Sequence, residues 1–265
     1  MDHGALACWS AGKTVMSAVL QTCMLTKAFG GIIATDAIDF TLEKGARHAL
    51  IGPNGAGKTT FVNLLTGVLQ PSSGTVILNG EDITQLSREA RVKRGMARTF
   101  QINQLFGTMT PLGMIALVTS ERLGYGLRAF NRLDHDRRVI EETAAILSQF
   151  RLEDIMDEPI SSLPYGKQRQ VEIAATFAAQ PNVLLLDEPA AGVPEAERRE
   201  LLDIVASLPS NVSVLLIEHD MDIIFRFATR ITVLVNGRVL ADGDPVMIAR
   251  DPAVRAAYLG EASDA

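Results

Sequence analysis

An α/β fold is predicted for this 265-residue sequence: a mostly parallel sheet covered by helices, with a small antiparallel β layer and a helical subdomain. Three observations predict it. Short β-branched and aliphatic runs alternate with segments of helical periodicity, the pattern of strands joined by crossover helices. Val183–Leu186, Val212–Ile217 and Ile231–Val235 are continuously apolar, as strands are when both faces are buried, and are expected side by side. The stretch from about Arg98 to Leu163 breaks the alternation and reads as a helical insertion.

In chain order, Ile38–Phe40 and the Gly74–Gly80 run flank the first βα unit and form the antiparallel layer, with Gly74 and the Asn79-Gly80 pair supplying turns. Arg47–Ile51 is a buried strand. A helix starts at Lys58, and Phe61, Leu64, Leu65, Val68 and Leu69 recur at i, i+3, i+4, i+7 and i+8, which turns one face to the core. Within the insertion, Thr110 and Pro111 open a helix, Gly124 and Gly126 break it, and Asp134–Phe150 is a second helical run. Pro194 begins a crossover helix with Glu195 and Glu197 at its favourable end and a Leu201, Leu202, Val205, Leu208 stripe. Asp220 is the N-cap of a helix carrying Ile223, Ile224 and Phe227. Asp251 and Pro252 start a terminal helix.

Composition narrows the function. Hydrophobic residues make up 47% and charged residues 21%, enough for a large core without disulfides or a structural metal. Twenty-five Lys and Arg against 31 Asp and Glu leave a net charge of −6, so no nucleic-acid partner is expected. Cys8 and Cys23 form no CxxC pair, which argues for a reducing compartment and against a zinc site or disulfide framework. The apolar runs fall far short of the ~20 residues of a spanning helix.

The residues Gly52-Pro53-Asn54-Gly55-Ala56-Gly57-Lys58-Thr59, followed by Thr60, fit G-x-x-x-x-G-K-[ST] between a strand and a helix. Glycines let the backbone curl so that its amides face phosphate oxygens, and the helix adds its positive end. Lys58 then reaches the β- and γ-phosphates of a nucleotide, and Thr59 can ligate Mg²⁺. Gly12-Lys13-Thr14 lacks the upstream glycine and is a decoy.

Asp187 and Glu188 end the Val183 run, where parallel sheets place their ligands. Asp187 is expected to hold the Mg²⁺ hydration shell. Glu188, on the opposite side of the pleat, is expected to polarise the attacking water. His219 leaves the sheet at the same edge and is placed to donate to a γ-phosphate oxygen.

With these motifs in order, the sequence resembles the ATP-binding cassette (ABC) transporter ATPases from about residue 20 onwards. Gly52–Thr60, Thr99-Phe100-Gln101, Leu163-Pro164-Tyr165-Gly166-Lys167-Gln168-Arg169, Leu184–Pro189 and Glu218-His219-Asp220 carry the resemblance. It implies a P-loop NTPase core over 18–265 with a helical subdomain at about 102–163, after an extension at 1–17 that is disordered. It further implies that Gln101 senses Mg²⁺ and the lytic water, that Phe29 stacks on adenine, and that the helix headed by Gly166 completes the ATP site of a second cassette. Pro164 stands where the family usually has Ser, which removes a hydroxyl and an N–H from that site, and Pro194 stands where Asp is usual.

A finer resemblance is to the ATPases of branched-chain amino acid uptake systems. It rests on Met96–Gln101, Leu105-Phe106, Met109-Thr110-Pro111, Pro189–Gly192 and Asp251–Glu261. The expected function is ATP hydrolysis that powers an importer, with the same motor serving urea, short amides or aromatic acids as the alternative. A soluble cassette is disfavoured by the −6 charge, and a GTPase by the lack of an Asn-Lys-x-Asp motif. The implied partners are permease subunits, a second ATPase subunit, identical or different, and indirectly a solute-binding protein. The implied place is the cytoplasmic face of the inner membrane.

Overall fold

The computed structural model describes residues 18–99, 107–125 and 136–259. The expectations for Gln101, for Gly126 and for the extension at 1–17 lie outside these residues.

Two strands the sequence reading saw only in part begin the fold. β1 (Ala18–Phe29) and β2 (Ile32–Glu43) pair antiparallel from Phe29↔Ile32 to Ala18↔Glu43. Gly30, at φ 59, makes the turn. β4 (Ser73–Leu78) and β5 (Glu81–Asp82) extend this antiparallel sheet in the order β2-β1-β4-β5. Cys23 on β1 is disulfide-bonded, which departs from the sequence expectation.

The second sheet holds the ligand edge. Its strands are β3 (Arg47–Ile51), β6 (Met96–Arg98), β7 (Val183–Asp187), β8 (Ser213–Ile217), β9 (Arg230–Val235) and β10 (Arg238–Gly243), in the order β10-β9-β3-β8-β7-β6. All neighbours run parallel except β9 and β10. The expectation that the three apolar runs lie together is corrected here: β7 and β8 are adjacent, but β3 separates β8 from β9. Leu50 of β3 faces Ile217 on one side and Thr232 on the other. Asn236 and Gly237, at φ 48 and 76, close the β9–β10 hairpin in the conformation a two-residue turn requires.

Strand alternation divides the core in two. Leu185 and Ile217 face the antiparallel sheet and α1 (Lys58–Leu65), packing with Leu20, Phe40 and Phe61. Leu184, Leu186, Val214 and Leu216 face the helices of the opposite layer. These are α5 (Tyr165–Ala178), α6 (Glu195–Ala206) and α7 (Met221–Phe227). Asp220 caps α7 through the amides of Asp222 and Ile223, as the sequence implies.

Helix α1 is shorter than its apolar period. It stops at Leu65, and Gly67 turns the chain at φ 75, leaving Val68 past the helix and 49% exposed. The buried Arg91 of α2 (Arg88–Lys93) fixes this end by donating to the carbonyls of Leu64 (2.7 Å), Leu65 (2.6 Å) and Thr84 (2.7 Å).

In the insertion, α3 (Pro111–Arg122) is capped by Thr110 and α4 (Arg137–Gln149) by Asp136. Val139, Thr143, Ile146 and Leu147 form the buried stripe of α4. Arg122 joins the subdomain to the core by donating to Ala178 O at 3.0 Å and pairing with Glu142. The described residues end in α8 (Pro245–Arg250) and α9 (Pro252–Leu259), with Asp251 accepting from Ala253 and Val254 as predicted.

His48 of β3 is buried between the sheets, with Nε2 2.8 Å from Thr232 Oγ1 and its ring 4.9 Å from that of Phe40. Burial lowers its pKa to about 4, with Asp242 raising it and Arg230 lowering it less strongly. The unfolded chain, with His48 near 6.5, therefore binds more protons between pH 6.5 and 4, and stability falls as pH drops through that window. The loss is expected to reach about 3 kcal/mol. Urea midpoints measured across this range should fall more steeply for the parent than for His48→Asn; parallel curves would contradict the assignment.

Candidate functional site

The loop after β3 meets the first turn of α1 in a curled backbone. Gly52 and Gly57 adopt φ 154 and 97 and press against neighbouring chain. A Cβ on Gly52 would stand 2.2 Å from Leu234 O, and one on Gly57 would stand 2.4 Å from Ala34 O. Only glycine fits either place. Gly57 is the N-cap of α1 and provides no side-chain cap, so the amides of the first turn keep their capacity for an anion. Lys58 Nζ folds over the loop onto Gly52 O at 2.5 Å and Pro53 O at 3.0 Å.

A cavity of about 460 Å³ opens above this loop. Asn54, Gly55, Ala56, Gly57, Lys58, Thr59 and Thr60 form its floor, and Glu188 enters from β7. Ile32, Ile33 and Ala34 of β2 and the Asn236-Gly237 turn complete the wall. Phe29 is not among the lining residues. It pairs with Ile32 across the hairpin and lies half exposed, with Lys27 Nζ 5.3 Å from its ring centre. The apolar wall thus falls to Ile32 and Ile33, which the sequence reading missed; an apolar pair directly after Gly30-Gly31 was the available signal.

Asp187 ends β7 in register with Ile217. Its Oδ2 accepts from Arg98 at 2.5 Å, and Arg98 also donates to Asn63 Oδ1 of α1 at 2.8 Å. Arg98 therefore ties Asp187 to the helix that carries Lys58 and Thr59. Thr59 is exposed beside the cavity. Asp187 is not among the residues that line the cavity; its carboxylate and the Thr59 hydroxyl are oxygen donors of the kind taken by Mg²⁺, a hard cation that keeps several waters.

Glu188 departs from the expected geometry. It does not continue the pleat but turns out of the strand at φ 46, while its amide still donates to Ile217 O at 2.9 Å. The turn swings its carboxylate into the cavity. His219 Nδ1 lies 3.8 Å from Glu188 Oε1 and 3.9 Å from Glu218 Oε2. Glu218 is buried, and burial raises its pKa above the ordinary carboxylate range, with Glu188 pushing the same way. The sequence reading gave Glu218 no role; a lone acid ending a buried apolar strand was the signal.

Gly166 stands apart from this cavity, in the first turn of α5. It is buried against α6, where a Cβ would meet Glu197 Oε2 at 2.0 Å. Tyr165 packs on Gly192, 3.2 Å from where a Cβ would sit. A Cβ at Gly166 would require the Glu197 side chain to shift. Pro164 is the N-cap of α5 without a side-chain hydrogen bond, which leaves that helix end uncapped.

The family model described as "ABC transporter" matches residues 35–191, and one described as "Branched-chain amino acid ATP-binding cassette transporter" matches residues 238–264. The chain is 38% identical over 253 residues to the high-affinity branched-chain amino acid transport ATP-binding protein BraF of Pseudomonas aeruginosa, covering 92% of this chain and 98% of BraF. It is 37% identical to LivG of Escherichia coli, a protein of the same description, over 90% of this chain and 96% of LivG. Among solved structures, the ADP conformation of MJ1267, an ATP-binding cassette of an ABC transporter, superposes with a TM-score of 0.78 at 30% identity, over 92% of this chain and 99% of that one.

Proposed function

The chain belongs to the ABC transporter ATP-binding family, on its branched-chain amino acid branch, and we propose that it binds and hydrolyses ATP to power uptake of these amino acids. The observation that carries this reading is the convergence of the phosphate loop and Glu188 on one cavity at the carboxyl edge of a parallel sheet.

On binding, the loop amides and the first turn of α1 take the phosphates, and Lys58 exchanges its two carbonyl partners for β- and γ-phosphate oxygens. Mg²⁺ held by Thr59 and Asp187 would neutralise charge on those oxygens. Glu188 takes the proton of the attacking water, and His219 steadies the γ-phosphate as charge shifts. Ile32 and Ile33 offer the nucleotide base an apolar wall, with Phe29 paired to Ile32 across the hairpin. Gln101 reports the state of the site to the helical subdomain.

The uncapped end of α5, with Gly166, faces the γ-phosphate held by a second cassette, so two cassettes close over two nucleotides. No helix among the described residues is long and apolar enough to cross a membrane. The chain works docked on separate permease subunits at the cytoplasmic face, fed by a solute-binding protein. Hydrolysis by that assembly, stimulated by a branched-chain amino acid, tests the proposal.

A further inference from the structure

The loop that follows Glu188 is fastened to the His219 turn at two points, neither of which lies on the reacting groups. The inner point is Glu218. Its side chain is 2% exposed, and its two oxygens serve different loops: Oε1 accepts from Ala190 N at 3.4 Å and Oε2 from His219 N at 3.2 Å. A buried carboxylate is costly where an apolar residue would pack, and it persists where its hydrogen bonds define a geometry. The outer point is Arg198 of α6. It donates to Asp220 Oδ2 at 3.0 Å and to Val193 O at 3.3 Å. Asp220 uses its other oxygen to cap α7, so Arg198 grips a residue that is already fixed.

Between the two points the chain runs as a tight turn, with Ala191 N donating to Glu188 O at 3.1 Å and Val193 N to Ala190 O at 3.1 Å. Glu188 itself stands at φ 46, a conformation a non-glycine residue keeps only where its surroundings hold it. We propose that Glu218 and Arg198 are positioning residues for hydrolysis, clamping the 188–194 turn to the His219 turn and so holding Glu188 and His219 at their 3.8 Å separation. The clamp rests on the ATPase reading of the site. It acts on the hydrolytic step and leaves the phosphate loop, and hence ATP binding, untouched.

Glu218→Gln keeps the size of the side chain but offers one acceptor oxygen in place of two, so one tie is lost. Arg198→Ala removes the outer tie, and Arg198→Lys restores a bond to Asp220 without the second to Val193. The full-length chain is assayed for MgATP turnover, for ATP affinity by calorimetry and for thermal midpoint, beside the parent and Glu188→Gln. For Glu218→Gln, kcat is expected to fall about tenfold or more with KM and ATP affinity within about twofold. Arg198→Ala is expected to lose about fivefold in kcat, and Arg198→Lys to recover part of it.

Parent-like kcat in Glu218→Gln and Arg198→Ala, or kcat and ATP affinity falling together, overturns the clamp while a hydrolysing parent keeps the ATPase reading. A parent that does not hydrolyse, or a Glu188→Gln as active as the parent, overturns both. If Glu218→Gln does not fold, the Arg198 pair decides.

Discussion

Glu188→Gln is expected to lower MgATP turnover by about 10²- to 10⁴-fold while ATP affinity stays within about threefold. The amide keeps the shape and the φ 46 turn but accepts no proton, so only the step that needs a base is lost. Glu188 lines the same cavity as Lys58 yet makes none of the phosphate-facing amides, so binding and chemistry separate at this residue. ATP that binds but is not cleaved should also hold two cassettes together, and size-exclusion chromatography with ATP should show a dimer that the parent forms only transiently. Turnover within a few-fold of the parent would remove Glu188 from the role of base.

Lys58→Ala acts on the other half of the site. Charge-assisted hydrogen bonds to phosphate are worth about 2–3 kcal/mol, so ATP Kd is expected to rise about 30- to 150-fold. Stability is expected to change little, because the ammonium group donates to carbonyls of its own loop, Gly52 O and Pro53 O, at a partly buried position. Calorimetric titration with ATP checks the first point and thermal unfolding the second. An unchanged Kd would place the phosphates elsewhere.

The sequence carried the ligand edge of the sheet well. The phosphate loop, the strand-end acids Asp187 and Glu188, His219 and the cap at Asp220 are local patterns: the loop and Glu188 line one cavity, Asp187 ends β7, and Asp220 caps α7. What it did not carry depends on contacts distant in sequence. Nothing local says that β3 sits between β8 and β9, since a buried strand looks the same beside either neighbour. β1 mixes Thr22, Thr26 and Lys27 with its apolar residues and pairs irregularly, which blurs a period of two. The end of α1 was hidden because the apolar period runs on through Val68, while Gly67 and the distant Arg91 stop the helix.

The site shows the same division. Gly166 was assigned by motif to a neighbouring cassette, and within the chain it lies against the Glu197 side chain of α6. Arg98 was visible only as part of a family motif, and its partners Asn63 and Asp187 lie 35 and 89 residues away. Glu218 and Arg198 have meaning only once β7 and β8 are neighbours and α6 lies beside α7.

The measurement that bears most directly on the central claim is ATP hydrolysis by the chain in proteoliposomes with its co-purified permease subunits and solute-binding protein. Leucine, urea and an aromatic acid are compared as stimulants, with Glu188→Gln as the hydrolysis control. Leucine is expected to raise turnover above the unstimulated rate while urea and the aromatic acid do not. Stimulation by urea or the aromatic acid with none by leucine would contradict the account.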